Sequence, residues 1–169
     1  MELHINSHEW HRRMPDWPRA VGAGLVAGAL LMVLEMLWTA TVSGSSPWST
    51  SHHVAAIVMG EKALESSAFN LGIVAVALAT HYVLGVVFGL VLAIIIAGFH
   101  YEQNTGMLEV LGVVFGTVLY LLNFYGMAAF FPWIADLRGW STFIGHIIFG
   151  LTVVLTYQWL EGRGEETNQ

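Results

Sequence analysis

The sequence predicts an all-α membrane protein: a four-helix transmembrane bundle with one extra interfacial helix between spans 1 and 2. Three observations carry that expectation. Of the 169 residues, 56% are hydrophobic and only 11% charged, with a mean hydropathy of +0.63, whereas a soluble domain carries roughly a quarter charged residues. Four apolar runs reach the roughly 20 residues that a bilayer-crossing helix needs. Inside each run the polar side chain lies in line with glycines at helical spacing, as in His81, Gly85 and Gly89, which share one face of a helix. A chain of this length reads as a single domain, residues 1–169.

The first span is expected over about 19–42. Asp16 suits the N-cap and Pro18 the first helical turn. The run lies behind Arg12 and Arg13 but is longer than the ~7–15-residue apolar core of a secretory signal, so it reads as an uncleaved anchor. The arginine pair is taken as a topology signal. Ser43-Gly-Ser-Ser-Pro47 then breaks the helix. Residues 48–66 have too short an apolar part to span, and Glu61, Lys62 and Glu65 keep the far end wet. They read as an interfacial or re-entrant helix. The second span is expected over 71–98, long enough to tilt. The third covers about 107–130 and stops before Pro132. The fourth covers about 140–160, with Gly162 closing it.

Arg12, Arg13, Arg19 and Arg163 fall on one side of this topology, and Lys62 and Arg138 on the other. The positive-inside rule then places both termini in the cytoplasm and the interfacial helix outside. Aromatic residues mark both edges: Trp38, Trp48, Phe131, Trp133 and Trp140 on one, and Trp17, Tyr101, Tyr157 and Trp159 on the other.

Several chemistries are excluded. Without cysteine there are no disulfides, no thiolate nucleophiles and no Cys-ligated metal. The net charge of −6 comes without a basic patch, so no nucleic-acid partner is expected. The expected partners are the lipid bilayer and, through the glycine stripes, a second copy or a larger membrane complex. No phosphate-binding glycine loop, nucleophile motif or His-Glu-x-x-His signature occurs, and no catalytic residue is assigned.

The chemistry-bearing residues lie within the spans. Gly24, Gly28 and Glu35 share a face of the first helix, and Gly112, Gly116 and Asn123 share one of the third. The second carries His81, Gly85 and Gly89, and the fourth His146 and Gly150. With alternating helix directions, every glycine falls toward the cytoplasmic half and every polar side chain toward the outer half. A cone follows, packed tightly inside and opening outward into a polar pocket of Glu35, His81, Asn123 and His146. The likeness of His81-x-x-x-Gly85 to His146-x-x-x-Gly150 reads as two copies of a helix–loop–helix unit about an axis along the membrane normal.

A carboxylate in hydrocarbon costs several kcal/mol unless paired or neutral, so Glu35 is expected to be neutral or hydrogen-bonded to His81, His146 or Asn123. Several readings compete. The leading one is a buried polar network that sets helix register in a non-enzymatic accessory or assembly protein. The alternative is a cofactor- or ion-binding protein. In one version His81 and His146 ligate a haem b, against an expected depth mismatch of roughly 7–8 Å at 1.5 Å per residue. In another, Glu35, His81 and His146 hold a divalent metal, with His52 or His53 from above. In a third, Glu35 and the histidines relay protons or pass a small solute. His4, His8 and His11 also share a helical face, but read as a solvated tail. His100 and Glu102 read as loop residues, and Glu109 as a residue reaching the inner surface.

Glu35, His81-Tyr-Val-Leu-Gly85, Asn123-Phe-Tyr-Gly126 and His146-Ile-Ile-Phe-Gly150 together resemble small four-span bacterial inner-membrane proteins, loosely of the YagU-like kind. The resemblance covers the spans, and implies a four-helix membrane fold in a bacterial cytoplasmic membrane. It carries no catalytic residues.

Overall fold

The structure is a computed structural model and describes residues 14–99 and 105–166. His4, His8, His11, Arg12, Arg13, His100, Tyr101 and Glu102, together with the side chain of Arg163, lie outside the described residues. The described chain forms five α-helices: α1 (Trp17–Thr41), α2 (Ser49–Met59), α3 (Leu71–Phe99), α4 (Thr105–Leu121) and α5 (Trp140–Glu166). Four segments are long and apolar enough to cross a membrane, Trp17–Thr41, Leu71–Gly98, Thr105–Ala129 and Trp140–Gly162. The shorter α2 lies between the first two.

Helix α1 is the centre of the molecule. It packs against α3 on one flank and α5 on the other, and α4 packs on the far side of α5. The buried residues of α1 are Ala20, Ala23, Gly24, Ala27, Gly28 and Leu31, nearly all small. A helix gripped from two sides in lipid gains by close backbone approach, because hydrocarbon supplies no hydrophobic drive between helices. At its start, Asp16 accepts a hydrogen bond from the Arg19 backbone N–H at 3.1 Å and pairs with the Arg19 guanidinium at 2.9 Å. The Asp16 backbone N–H also donates to the Tyr157 hydroxyl of α5 at 3.2 Å.

Glycines set the two tightest contacts. A Cβ built on Gly24 would stand 2.5 Å from the Gly85 carbonyl oxygen, and one on Gly89 would stand 2.9 Å from the Ala20 carbonyl oxygen. Between α4 and α5, a Cβ on Gly112 would meet the Gly150 carbonyl at 2.9 Å, while Gly116 sits against the His146 carbonyl. The α1–α3 pair and the α4–α5 pair therefore repeat one contact plan, glycine against glycine and histidine. The likeness stops at the pairs. A two-fold axis along the membrane normal would pack α3 on α4 just as it packs α1 on α5. Among the described residues α3 and α4 share no such face, which leaves a cleft between them.

Three local features depart from the expectations. The interfacial segment is not one helix over 48–66. It breaks at Gly60, whose φ of 78° is a left-handed conformation that favours glycine. A short 3₁₀ turn, Glu61–Leu64, follows. The third span is not a uniform α-helix to residue 130 either. It passes at Leu122–Gly126 into a π turn and at Met127–Ala129 into a 3₁₀ turn. Gly162 does not end α5, which runs on to Glu166: an exposed glycine weakens a helix by about 0.5–1 kcal/mol and here the α-helix continues past it. The start of α3 carries a cap absent from the sequence reading, with the Asn70 side-chain oxygen accepting from the Gly72 and Ile73 N–H groups at 2.9 and 3.2 Å.

Candidate functional site: a polar pocket at the α2 end

The cleft between α3 and α4 is closed at the back by α1 and α5 and roofed by α2 and the 3₁₀ turn Pro132–Leu137. It holds a cavity of about 100 Å³. Glu35, His81, Asn123 and His146 all line it, each from a different span, and His53 and Thr50 reach it from α2. Phe88, Phe124 and Phe149 supply much of the apolar wall.

Each polar group comes from a recognisable local geometry. His146 is 5% exposed. Its Nδ1 lies 2.8 Å from the Thr142 carbonyl one turn earlier. A carbonyl only accepts, so Nδ1 carries the proton and Nε2 keeps a lone pair. The Asn123 amide Nδ2 donates to that lone pair at 3.3 Å. Edge-on rings of Tyr120 and Phe124, 6.0 and 5.2 Å away between centroids, fix the imidazole plane. Asn123 reaches His146 from the π turn. A π turn widens the helix and is frequent where a helix serves a site. The carbonyl of Phe124 in that turn accepts from Arg138 Nε at 2.7 Å, and the Arg138 guanidinium lies 4.3 Å from the Tyr125 ring centre.

His81 sits across the glycine contact. Its Nε2 donates to the Gly28 carbonyl at 3.0 Å, a bond within reach because α1 and α3 come close at Gly24 and Gly85 one turn away. Its Nδ1 is left with a lone pair. His53 likewise donates through Nδ1 to the Ser49 carbonyl at 2.9 Å, leaving Nε2 as an acceptor.

Glu35 is the exception. The expected hydrogen bond to His81, His146 or Asn123 is absent, because those three are committed elsewhere: His81 to a backbone carbonyl, and Asn123 and His146 to one another. Glu35 has no hydrogen bond or ion pair from its carboxyl to any described residue. Together with His81 it lines both this cavity and a smaller one of about 20 Å³ beside Thr50, Ser51 and Pro47.

The two α2 histidines separate. His53 reaches the cavity. His52 does not; it is 2% exposed and lies between the Ala63 and Ala68 carbonyls, with Nδ1 and Nε2 at 2.6 and 2.8 Å. Among the described residues, no three His, Asp or Glu side chains are grouped as a metal site would need. Sequence reasoning missed Thr50, the three phenylalanines and Arg138. The apolar residues carry no signal apart from their spans, and the π turn that makes Phe124 a wall residue and an acceptor has no sequence mark. Comparison of the chain with family models, with curated proteins and with solved structures returns no match.

Proposed function

We propose that this chain is a multi-pass membrane protein whose working part is the polar pocket, and that Glu35 is the group through which it takes up a proton or a small solute. The observation that supports this reading is the unpartnered Glu35 carboxyl at the wall of the cavity. In a network that only sets packing, each buried polar group satisfies another, since an unpaired one costs several kcal/mol in hydrocarbon. His81, Asn123 and His146 follow that rule and fit the accessory or assembly role. Glu35 breaks it. A haem b sits less well with this pocket: Nε2 of each histidine is already bonded, and the cavity of about 100 Å³ is below the roughly 300–1,000 Å³ of a pocket for a drug-sized ligand. The excess of Arg12, Arg13, Arg19 and Arg163 over Lys62 and Arg138 in the sequence supports an orientation with α2 outside and both termini inside.

The absence of cysteine makes the test clean. Leu84 lines the cavity, while its neighbour Val83 is 63% exposed on the outer face of α3, at the same depth. In sealed vesicles, a small water-soluble methanethiosulfonate reagent is expected to modify Leu84→Cys and to spare Val83→Cys, because only a hydrated thiol ionises to the reactive thiolate. Equal protection of both thiols would make the pocket a dry packing feature and end this reading.

A further inference from the structure

Resting on the reading that the pocket is a binding site, we infer that its ligand is a small organic ammonium cation held between the Glu35 carboxylate and a phenylalanine wall. The polar atoms that the fold leaves free are nearly all acceptors. His81 and His53 each donate to a backbone carbonyl and keep one lone pair apiece. His146 donates to Thr142, and the Asn123 amide nitrogen gives one of its two hydrogens to His146. The Asn123 amide oxygen and both Glu35 oxygens remain. The Thr50 hydroxyl and the second Asn123 amide hydrogen are the lining donors left against these acceptors. No lysine or arginine lines the cavity, and the nearby Arg138 is held by the Phe124 carbonyl and the Tyr125 ring.

A pocket of acceptors with one carboxyl selects a ligand that brings its own donors and positive charge. Bare metal ions are poorly served, since no three His, Asp or Glu side chains group as a metal site among the described residues. Phe88, Phe124 and Phe149 line the same space, and aromatic faces attract alkylammonium groups through the ring quadrupole. A cavity of about 100 Å³ is several times the roughly 10–15 Å³ that one water needs, which gives room for a small ligand.

The test uses the full chain in detergent or nanodiscs, with methylammonium, dimethylammonium and trimethylammonium chlorides titrated by calorimetry. Sodium chloride is the charge control, and acetone, of similar size and uncharged, the shape control. One saturable site is expected for the di- and trimethylated cations, with affinity at least about tenfold above sodium and acetone, the scale of one charge-assisted contact. Glu35→Gln is expected to weaken binding about tenfold or more, with Glu35→Asp retaining part of it. Phe88→Leu is expected to weaken it about two- to thirtyfold, the range of a cation–π contact. Absence of saturable binding by the wild type overturns the inference, as does equal binding of sodium or acetone, or undiminished binding by a folded Glu35→Gln. If Leu84→Cys is modified by the water-soluble reagent while no methylammonium binds, the pocket reading stands and the ammonium assignment alone falls. If Leu84→Cys is spared as well, both fall.

Discussion

Three histidines within the described chain solve the same problem by different means, and each is bound to the backbone of an element it must position. His146 closes on its own helix through Thr142, His81 on a neighbouring helix through Gly28, and His52 on the chain that follows α2. The His52 ring bridges the Ala63 and Ala68 carbonyls at 2.6 and 2.8 Å, which ties α2 to the segment leading into α3. A neutral imidazole donates from one nitrogen only, and of its two carbonyl neighbours that of Ala63 belongs to a buried residue. His52→Phe keeps the ring volume and removes that donor; a buried acceptor left unpaired costs about 1–3 kcal/mol, so the variant is expected to lower thermal stability in detergent. Amide hydrogen exchange over residues 60–70 is the local readout, and unchanged protection there would mean that the two contacts carry no weight. Neither partner was legible in the sequence, where His52 and His53 are adjacent and interchangeable. Burial on one face of α2 separates them.

At the scale of elements, the glycines that read alike in the sequence are not equivalent. Gly24 and Gly28 lie one turn apart on the same face of α1. A Cβ on Gly24 would press into the Gly85 carbonyl at 2.5 Å, whereas one on Gly28 would meet its nearest neighbour at 3.8 Å, an ordinary contact. Gly24→Ala is therefore expected to cost about 1–3 kcal/mol through overpacking. Gly28→Ala is expected to be neutral, or to stabilise by up to about 0.5–1 kcal/mol from helix propensity. Parallel melts of the two variants check the order, and equal losses would contradict the closeness of Gly24 to α3. The third span makes a similar point. Its apolar period predicts a helix and its Pro132 a stop, but the widened turn at Leu122–Gly126 answers to the reach of Asn123 toward His146 and of Phe124 toward Arg138. Those are tertiary demands, which no local pattern encodes.

For the whole molecule, the order of helices across the structure, α3, α1, α5, α4, places the first and last spans together at the centre. The Leu31 side chain comes within 2.8 Å of where a Cβ on Gly145 would lie. A Leu31→Cys/Gly145→Cys double variant is expected to cross-link under mild oxidation, because the two positions face each other across the α1–α5 contact. A Val87→Cys/Val114→Cys pair, on the outer faces of α3 and α4, is expected to stay reduced within a monomer. Gel mobility before and after reduction reads both. Cross-linking of the second pair alone would reverse the helix order described here.

By itself the sequence determined the helical class, four segments able to cross a membrane, the helix between the first two, and the residues that stand in line on each helix. It could do so because these properties are periodic and local: apolar length and the spacing of glycine, histidine, glutamate and asparagine along 3.6 residues per turn. Tertiary structure decided which face meets which. It put α1 rather than α3 or α4 at the centre, left the cleft between α3 and α4, and turned the histidines and Asn123 to other partners. Glu35 is left without a partner as a result. The physical reason is that a hydrogen bond is a pairwise choice between groups far apart in the chain, and several partners were open to every one of these side chains until packing fixed the distances.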